Sequence, residues 1–396
     1  MAVKTAHGHA VNPPPPKASA RQVPLESRLR EALREREALG LRRQLRVPAG
    51  IDLSSNDYLR LSVHPEVTAR MAAAIATDGC GSGGSRLLRG HRDVFAEVER
   101  AFAAFKGAER SLYFSSGYLA NLAVLSTLPE RHDRILSDRL NHASLRDGAR
   151  LSPAATAAFA HNDREALRRL LATPCAGHSF VVTESLFSMD GDAPPLADYA
   201  ELCRAAGATL IVDEAHAVGL YGERGSGLLE AAGVDANDVI SINTAGKALG
   251  VAGAFVAGPA PVIEYLVQRA RPFVFSTAPP PALAAALLAS LAVIQREPEL
   301  RCRVLTLARR LRTRLAAAGH PVAPDDSPIV PIVLGDSARA MAAAEDLQGK
   351  GFDVRAIRPP TVPAGTARLR LSVNAGLSES EIDALVEALS CHKVSS

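Results

Sequence analysis

Two short segments of this sequence hold residues that could do chemistry together. The first is Leu210-Ile211-Val212-Asp213-Glu214-Ala215-His216, an apolar run ending in a carboxylate and, three residues on, an imidazole. Ligands of open α/β sheets sit beyond the carboxyl ends of strands, so Asp213 and His216 emerge where a cofactor would lie. A carboxylate there can bond a pyridine nitrogen and keep it protonated, which makes the ring an electron sink for a substrate carbanion. The second segment is Asn243-Thr244-Ala245-Gly246-Lys247-Ala248-Leu249-Gly250, directly after the apolar Val239-Ile242. A lysine among small residues at a strand end reaches into a cleft, where desolvation lowers its pKa and makes it a nucleophile toward an aldehyde. Alone, each segment also fits something plainer: an N-cap aspartate beside an exposed histidine, and a surface lysine in a flexible loop. One βα unit separates them, and together they describe a site for pyridoxal phosphate held as a Schiff base on Lys247.

Other segments supply what such a site needs. Tyr113-Phe114-Ser115-Ser116-Gly117-Tyr118 leads into a helix, and small residues at a helix start expose N–H groups to an anion such as a phosphate. Capping by Ser115 or Ser116 is the plainer reading. Thr244 could bond the same phosphate. His142, in Asn141-His142-Ala143-Ser144, offers a flat ring that could stack on a cofactor face. The glycine-rich Gly79 to Gly84 lacks the GxGxxG register for a dinucleotide. Asp-Glu-Ala-His also occurs in a helicase motif, but no GxxxxGK[ST] phosphate loop accompanies it.

The elements that must position these residues read as α/β. Short apolar strands are predicted at Ser111-Phe114, Ile135-Leu136, Phe180-Thr183, Thr209-Val212, Val239-Ile242 and Ala254-Ala257, with loops and helices between them. Several are continuous apolar runs, which suits a mainly parallel sheet buried on both faces. A helix pair from Pro281 to Gly319, strands at Ile329-Leu334 and Arg368-Val373, and a helix from Glu379 to Leu389 make a smaller α+β part. The division expected is a disordered leader over 1–22, an N-terminal helix and segment over 23–60, a large cofactor-binding domain over 61–280, and a C-terminal domain over 281–396.

Composition supports a large buried core: 396 residues, 47% apolar and 22% charged. With 45 Lys and Arg against 42 Asp and Glu, the net charge of +3 asks for neither nucleic acid nor an acidic membrane as partner. Five scattered cysteines show no CxxC or ligand spacing, so neither a disulfide framework nor a metal site is expected, and a reducing cytoplasm is the simplest setting. Ala282 to Ile294 is too short to span a bilayer and fits a buried helix. The leader, with His7, His9 and Pro13 to Pro16, has no signal-peptide hydrophobic core.

From about Leu25 to Leu389 the sequence resembles the α-oxoamine synthases, a family of pyridoxal-phosphate enzymes. The resemblance rests on Ser54-Ser55-Asn56-Asp57-Tyr58-Leu59, Gly81-Ser82-Gly83-Gly84-Ser85, Thr183 to Asp192, the Asp213/His216 strand end and the Lys247 loop. It implies an aspartate-aminotransferase-like (fold type I) architecture and a decarboxylating acyl transfer to an amino acid. Lys247 would anchor the cofactor and then act as base on the substrate α-carbon. Asp213 would pair with the pyridine nitrogen, His216 with the ring oxygen near Ser188, and His142 would stack on the ring. Backbone at Gly117 and Tyr118, with Thr244, would hold the phosphate. Arg370 would pair with the amino-acid carboxylate. Asn56, Thr361 and one of Arg42 and Arg43 would contact substrate. Ser276 and Thr277 would reach the phosphate of the other subunit in a homodimer. The run Arg358 to Leu371, with His161-Asn162-Asp163 and Ala172 to Cys175, is similar to the branch that joins L-alanine to a pimeloyl thioester, on CoA or a carrier protein, for biotin biosynthesis. Glycine-using branches, such as 2-amino-3-ketobutyrate CoA ligase and 5-aminolevulinate synthase, are the alternative. Ala245 stands where the family has a larger residue.

Overall fold

The computed structural model describes residues 24–390 and 392. The leader expected over 1–22, and Cys391, lie outside them. The chain divides into two units, Met1–Val47 and Pro48–Ser396. Among the described residues of the first, one helix forms, α1 (Leu25–Ala38), with Glu26 and Arg30 paired one turn apart; none of the helix's residues is buried.

The second unit opens with a two-residue strand, β1 (Ile51–Asp52), then helices α2 (Pro65–Asp78) and α3 (Asp93–Lys106). Strand and helix then alternate: β2 (Arg110–Phe114), α4 (Gly117–Thr127), β3 (Arg134–Asp138), α5 (Ala143–Leu151), β4 (Ala155–Phe159) and α6 (Arg164–Ala172). The pattern continues through β5 (Ser179–Glu184), α7 (Leu196–Ala206), β6 (Thr209–Asp213), α8 (Leu228–Ala231), β7 (Val239–Thr244) and β8 (Ala254–Gly258). Helices α9 (Ala260–Arg269) and α10 (Arg271–Val274) complete this part.

Strands β2 to β8 make one sheet in the order β2-β8-β7-β6-β5-β3-β4. Only β8 runs against its neighbours; the other pairings are parallel. Every residue of β5 is buried, as its unbroken run Phe180-Val181-Val182 requires in a strand covered by helices on both faces. The edge strand β4 was not among the strands expected. Four of its five residues, Ala155 to Ala158, are exposed, so it has neither an apolar run nor an alternation to betray it. Its pairing with β3 decides its conformation.

Helix α11 (Pro281–Arg296) is buried on nearly all sides and packs against α2 and α3, as expected for Ala282 to Ile294. Pro298 starts α12 (Pro298–Ala317), and β9 (Ile329–Gly335), α13 (Ser337–Gly349), β10 (Phe352–Asp353), β11 (Ala356–Ile357), β12 (Ala367–Ser372) and α14 (Glu379–Leu389) follow. Strands β11, β12 and β9 form an antiparallel sheet over a second core built with α12, α13 and α14. Ile51 of β1 pairs with Phe352 of β10, which ties the start of this unit to its last third. Among the described residues no helix is long and apolar enough to cross a membrane.

The parallel strands β2, β3, β5, β6 and β7 all end at one edge of the large sheet. Asp213 ends β6, and the segments that follow the strand ends carry Gly117, at the start of α4, with His142, Ser188, His216 and Lys247.

Candidate active site

The loop after β7 brings Lys247 Nζ to 2.8 Å from His216 Nε2, and His216 Nδ1 lies 2.7 Å from the Tyr58 hydroxyl. Burial lowers the Lys247 ammonium to about 8, although the Asp213 carboxylate pulls the other way. The amine is thus available as a nucleophile near neutral pH. Burial, then the charges of Lys247 and Arg370, push His216 well down, so its ring is neutral. Tyr58 keeps its proton, since burial raises it. Its hydroxyl can donate to His216 Nδ1 or to Asn56 Oδ1 at 3.2 Å, so the His216 tautomer follows the charge on Lys247.

Asp213, at the end of β6, is buried. Its two oxygens accept from Asn121 Nδ2 (2.7 Å) and the Ala215 amide (2.9 Å), and neither is given to a cation. A carboxylate held this way has lone pairs left for a pyridine N–H. Glu214 turns the opposite way. Its carboxylate takes the Lys106 ammonium and the Leu229 amide, and Lys106 also donates to Ser226 O at 2.6 Å, all in the interior behind the site.

His142 caps α5 and exposes its ring to the cleft while its Nδ1 meets Ser144 Oγ at 2.7 Å. Its backbone N–H donates to Glu184 Oε1 at 2.6 Å. Burial and the negative charge of Asp213 raise Glu184 to about 8, which keeps this carboxyl protonated at neutral pH.

Gly117 opens α4, with Ser116 capping the helix through the Leu119 amide. A Cβ on Gly117 would lie 2.2 Å from Thr244 Oγ1, so only glycine lets the threonine hydroxyl and the free N–H groups of the helix start share one space. That cradle, the uncommitted face of Asp213, the buried Lys247 amine and the open His142 ring are a donor set into which pyridoxal phosphate fits. Replacing Gly117 with alanine should weaken cofactor affinity at least about tenfold, about 1.4 kcal/mol, with the fold intact. Titrating cofactor into the stripped protein checks this; an unchanged affinity would mean the phosphate sits elsewhere.

Arg370, on β12, donates through Nε to Ser188 O (2.5 Å), through Nη1 to Ser372 Oγ (2.7 Å) and through Nη2 to Asn56 Oδ1 (3.0 Å) and Tyr58 (3.5 Å). The guanidinium is thereby locked in one orientation, one tyrosine away from His216, whose other ring nitrogen meets Lys247. The Ser188 loop is itself clamped. Phe187 and Asp192 bond through their backbones, Arg368 holds Met189 O and Asp190, and His161 bridges Asp192 Oδ2 (2.8 Å) and Asp138 Oδ1 (3.0 Å). Burial alone would lower the His161 pKa, but the two carboxylates outweigh it and raise it to about 9. A histidine raised on folding contributes stability that is fully present below its ordinary value near 6.5 and lost as pH rises through about 9. Denaturation of the wild type and His161→Gln should therefore show a gap that closes between those two pH values. A gap that widens toward pH 9 would mean that His161 is neutral.

Lys247, His216, Asp213, His142, Ser188, Asn56 and Arg370 thus gather in one region at the strand ends, with Gly117 and Thr244 packed together at the start of α4. Tyr118 lies at the same helix start, its hydroxyl donating to Asp147. Ser276 and Thr277 lie between α10 and α11, and among the described residues no hydrogen bond joins them to the cluster. Thr361 is exposed in the segment between β11 and β12. Arg42 and Arg43 belong to the first unit, where Arg42 bonds Glu37 at 2.7 Å. Sequence reasoning missed Glu184, Asn121, Ser144 and the Tyr58 hydroxyl as members of the site. Glu184 at the end of an apolar strand, the same signal that marked Asp213, could have revealed the first.

Comparison with known proteins gives a consistent set. Residues 48–389 match the family described as aminotransferase class I and II. An 8-amino-7-oxononanoate synthase of Anaeromyxobacter dehalogenans is 49% identical over 339 residues, 86% of this chain and 85% of that protein. Among solved structures, a serine palmitoyltransferase from S. paucimobilis with a bound PLP–myriocin aldimine superposes with a TM-score of 0.87 at 30% identity, covering 93% of this chain and 98% of that one. An 8-amino-7-oxononanoate synthase from Francisella tularensis gives a TM-score of 0.76 at 31% identity, covering 86% and 97%.

Proposed function

Because this chain belongs to the aminotransferase class I and II family, we propose that it catalyses the decarboxylating condensation of L-alanine with a pimeloyl thioester, giving 8-amino-7-oxononanoate, CO2 and the free thiol of CoA or a carrier protein, in biotin biosynthesis. It is a pyridoxal-phosphate enzyme of fold type I. One observation carries the reading: Lys247 Nζ lies 2.8 Å from His216, whose other ring nitrogen meets the Tyr58 hydroxyl that the locked Arg370 guanidinium also bonds, with the buried Asp213 ending the neighbouring strand.

When bound, pyridoxal phosphate supplies an aldehyde that takes up amines and a protonated ring that draws electrons from a substrate α-carbon. The chain's own residues do the rest. Asp213 holds the proton on the ring nitrogen, and Gly117, Tyr118 and Thr244 hold the phosphate. Arg370 binds the alanine carboxylate and Asn56 orients that guanidinium. Lys247 Nζ takes the proton from the α-carbon, for which a pKa near 8 is well matched. Protonated Glu184 adds no second negative charge beside Asp213. In this scheme residues 61–280 carry the cofactor, while 23–60 and 281–396 supply Asn56, Thr361 and Arg370. The enzyme acts as a cytoplasmic homodimer, with Ser276 and Thr277 serving the partner's phosphate; Phe275 beside them is an exposed aromatic, in keeping with an interface.

Incubation with L-alanine and pimeloyl-CoA should release CoA and CO2 and yield the amino ketone. Turnover with glycine and a different acyl-CoA, without product from alanine, would overturn the substrate assignment.

A further inference from the structure

Both amide hydrogens of Asn121, on α4, are committed. Nδ2 donates to Asp213 Oδ2 at 2.7 Å and to Ser144 Oγ at 2.8 Å, and all three side chains are buried. The amide cannot be turned round, because Oδ1 would then face a carboxylate oxygen with no hydrogen to give. Ser144 Oγ, accepting from Asn121, keeps a single hydrogen, and His142 Nδ1 lies 2.7 Å away. The Ser144 backbone N–H meets the same Nδ1 at 3.2 Å. The backbone N–H can only donate, so it leaves Nδ1 no hydrogen of its own, and the Ser144 hydroxyl then turns its hydrogen to the same nitrogen.

We infer that Asn121 is a positioning residue, which relays the orientation set by the Asp213 carboxylate through Ser144 to His142 and fixes that ring as the neutral tautomer with its hydrogen on Nε2. Protonating Nδ1 would turn the Ser144 hydroxyl away and strip the Ser144 amide of its acceptor, so the network opposes an imidazolium. Burial acts in the same direction, as does Lys247, against the opposite pull of Asp213 and Asp147. His142 therefore offers the cleft a hydrogen bond from Nε2, not a proton from an imidazolium. The relevance to catalysis rests on the function proposed above; the tautomer is a property of the chain whatever its substrates.

The test is nitrogen-15 NMR of histidine-labelled, full-length protein carrying its cofactor, with the His142 signals identified by their loss in His142→Gln. At pH 7.5 the hydrogen should sit on Nε2 alone, and the ring should titrate below its ordinary value. Ser144→Ala and Asn121→Ala should each raise that midpoint by about one pH unit. Ser144→Thr, which keeps the hydroxyl, should restore it. A hydrogen on Nδ1 in the wild type, or a midpoint that Ser144→Ala leaves in place, would overturn the inference. Since these readings do not depend on turnover, a negative alanine assay would leave them standing.

Discussion

A Lys247→Ala protein should fold, retain pyridoxal phosphate without a covalent bond, and lose turnover by at least about 10³-fold. The residue is proposed to act twice, as anchor and as base on the α-carbon, and removing a positioned base alone costs ~10²–10⁴ in rate. The fold should survive because, among the described residues, Lys247 Nζ hydrogen-bonds a single side chain, His216, and its charge is already disfavoured by burial. The cofactor should remain because the Gly117–Thr244 cradle and Asp213 do not depend on the lysine. Two measurements decide the matter: the visible band of the attached cofactor, which should vanish, and a single-turnover assay with alanine and pimeloyl-CoA. Product formed at a rate near that of the wild type would refute the base assignment.

Asp213→Asn should lower kcat on the order of 10³-fold, by a different route. An amide cannot hold the ring nitrogen's proton with a negative charge, so the bound cofactor loses its electron-withdrawing form. The surroundings also refuse an amide. Both Asp213 oxygens accept N–H groups, from Asn121 and Ala215, so an NH2 in either place meets a donor and leaves one buried group unsatisfied. That costs roughly 1–3 kcal/mol of stability. Unfolding curves and kcat measured together separate the two effects. A kcat within a few-fold of the wild type would show that the carboxylate does not serve the ring.

The large sheet was legible because its strands are buried on both faces, and such strands print themselves as apolar runs; Phe180 to Val182 and Leu210 to Val212 are examples. β4 was illegible because its alanines and threonine face outward and its partner, not its sequence, makes it a strand. Asp213, His216 and Lys247 stood out because each follows such a run within a few residues. The resemblance to the α-oxoamine synthases gave the family, the fold and the cofactor, all in agreement with the relatives found. The bridges between site residues were beyond reach. Asn121 sits in mid-helix and Ser144 in a first turn, where each reads as ordinary, and their meeting at Asp213 and His142 is a product of packing. Glu184 acquires its raised pKa only through burial beside Asp213, a proximity that a sequence does not display.

The buried pair of Lys106 and Glu214 bears on how this chain can vary. Lys106 ends α3 and Glu214 adjoins Asp213, so the two are far apart in sequence and yet meet, both buried, beside the Ser226 carbonyl. Losing either partner strands a charge in the interior, a change that typically costs 3–5 kcal/mol, whereas replacing both with apolar residues of similar volume can be neutral. Single-step mutational paths through either position are therefore closed, and a lineage can leave this arrangement only by changing both positions together. The two residues should be inherited, and should be redesigned, as a unit.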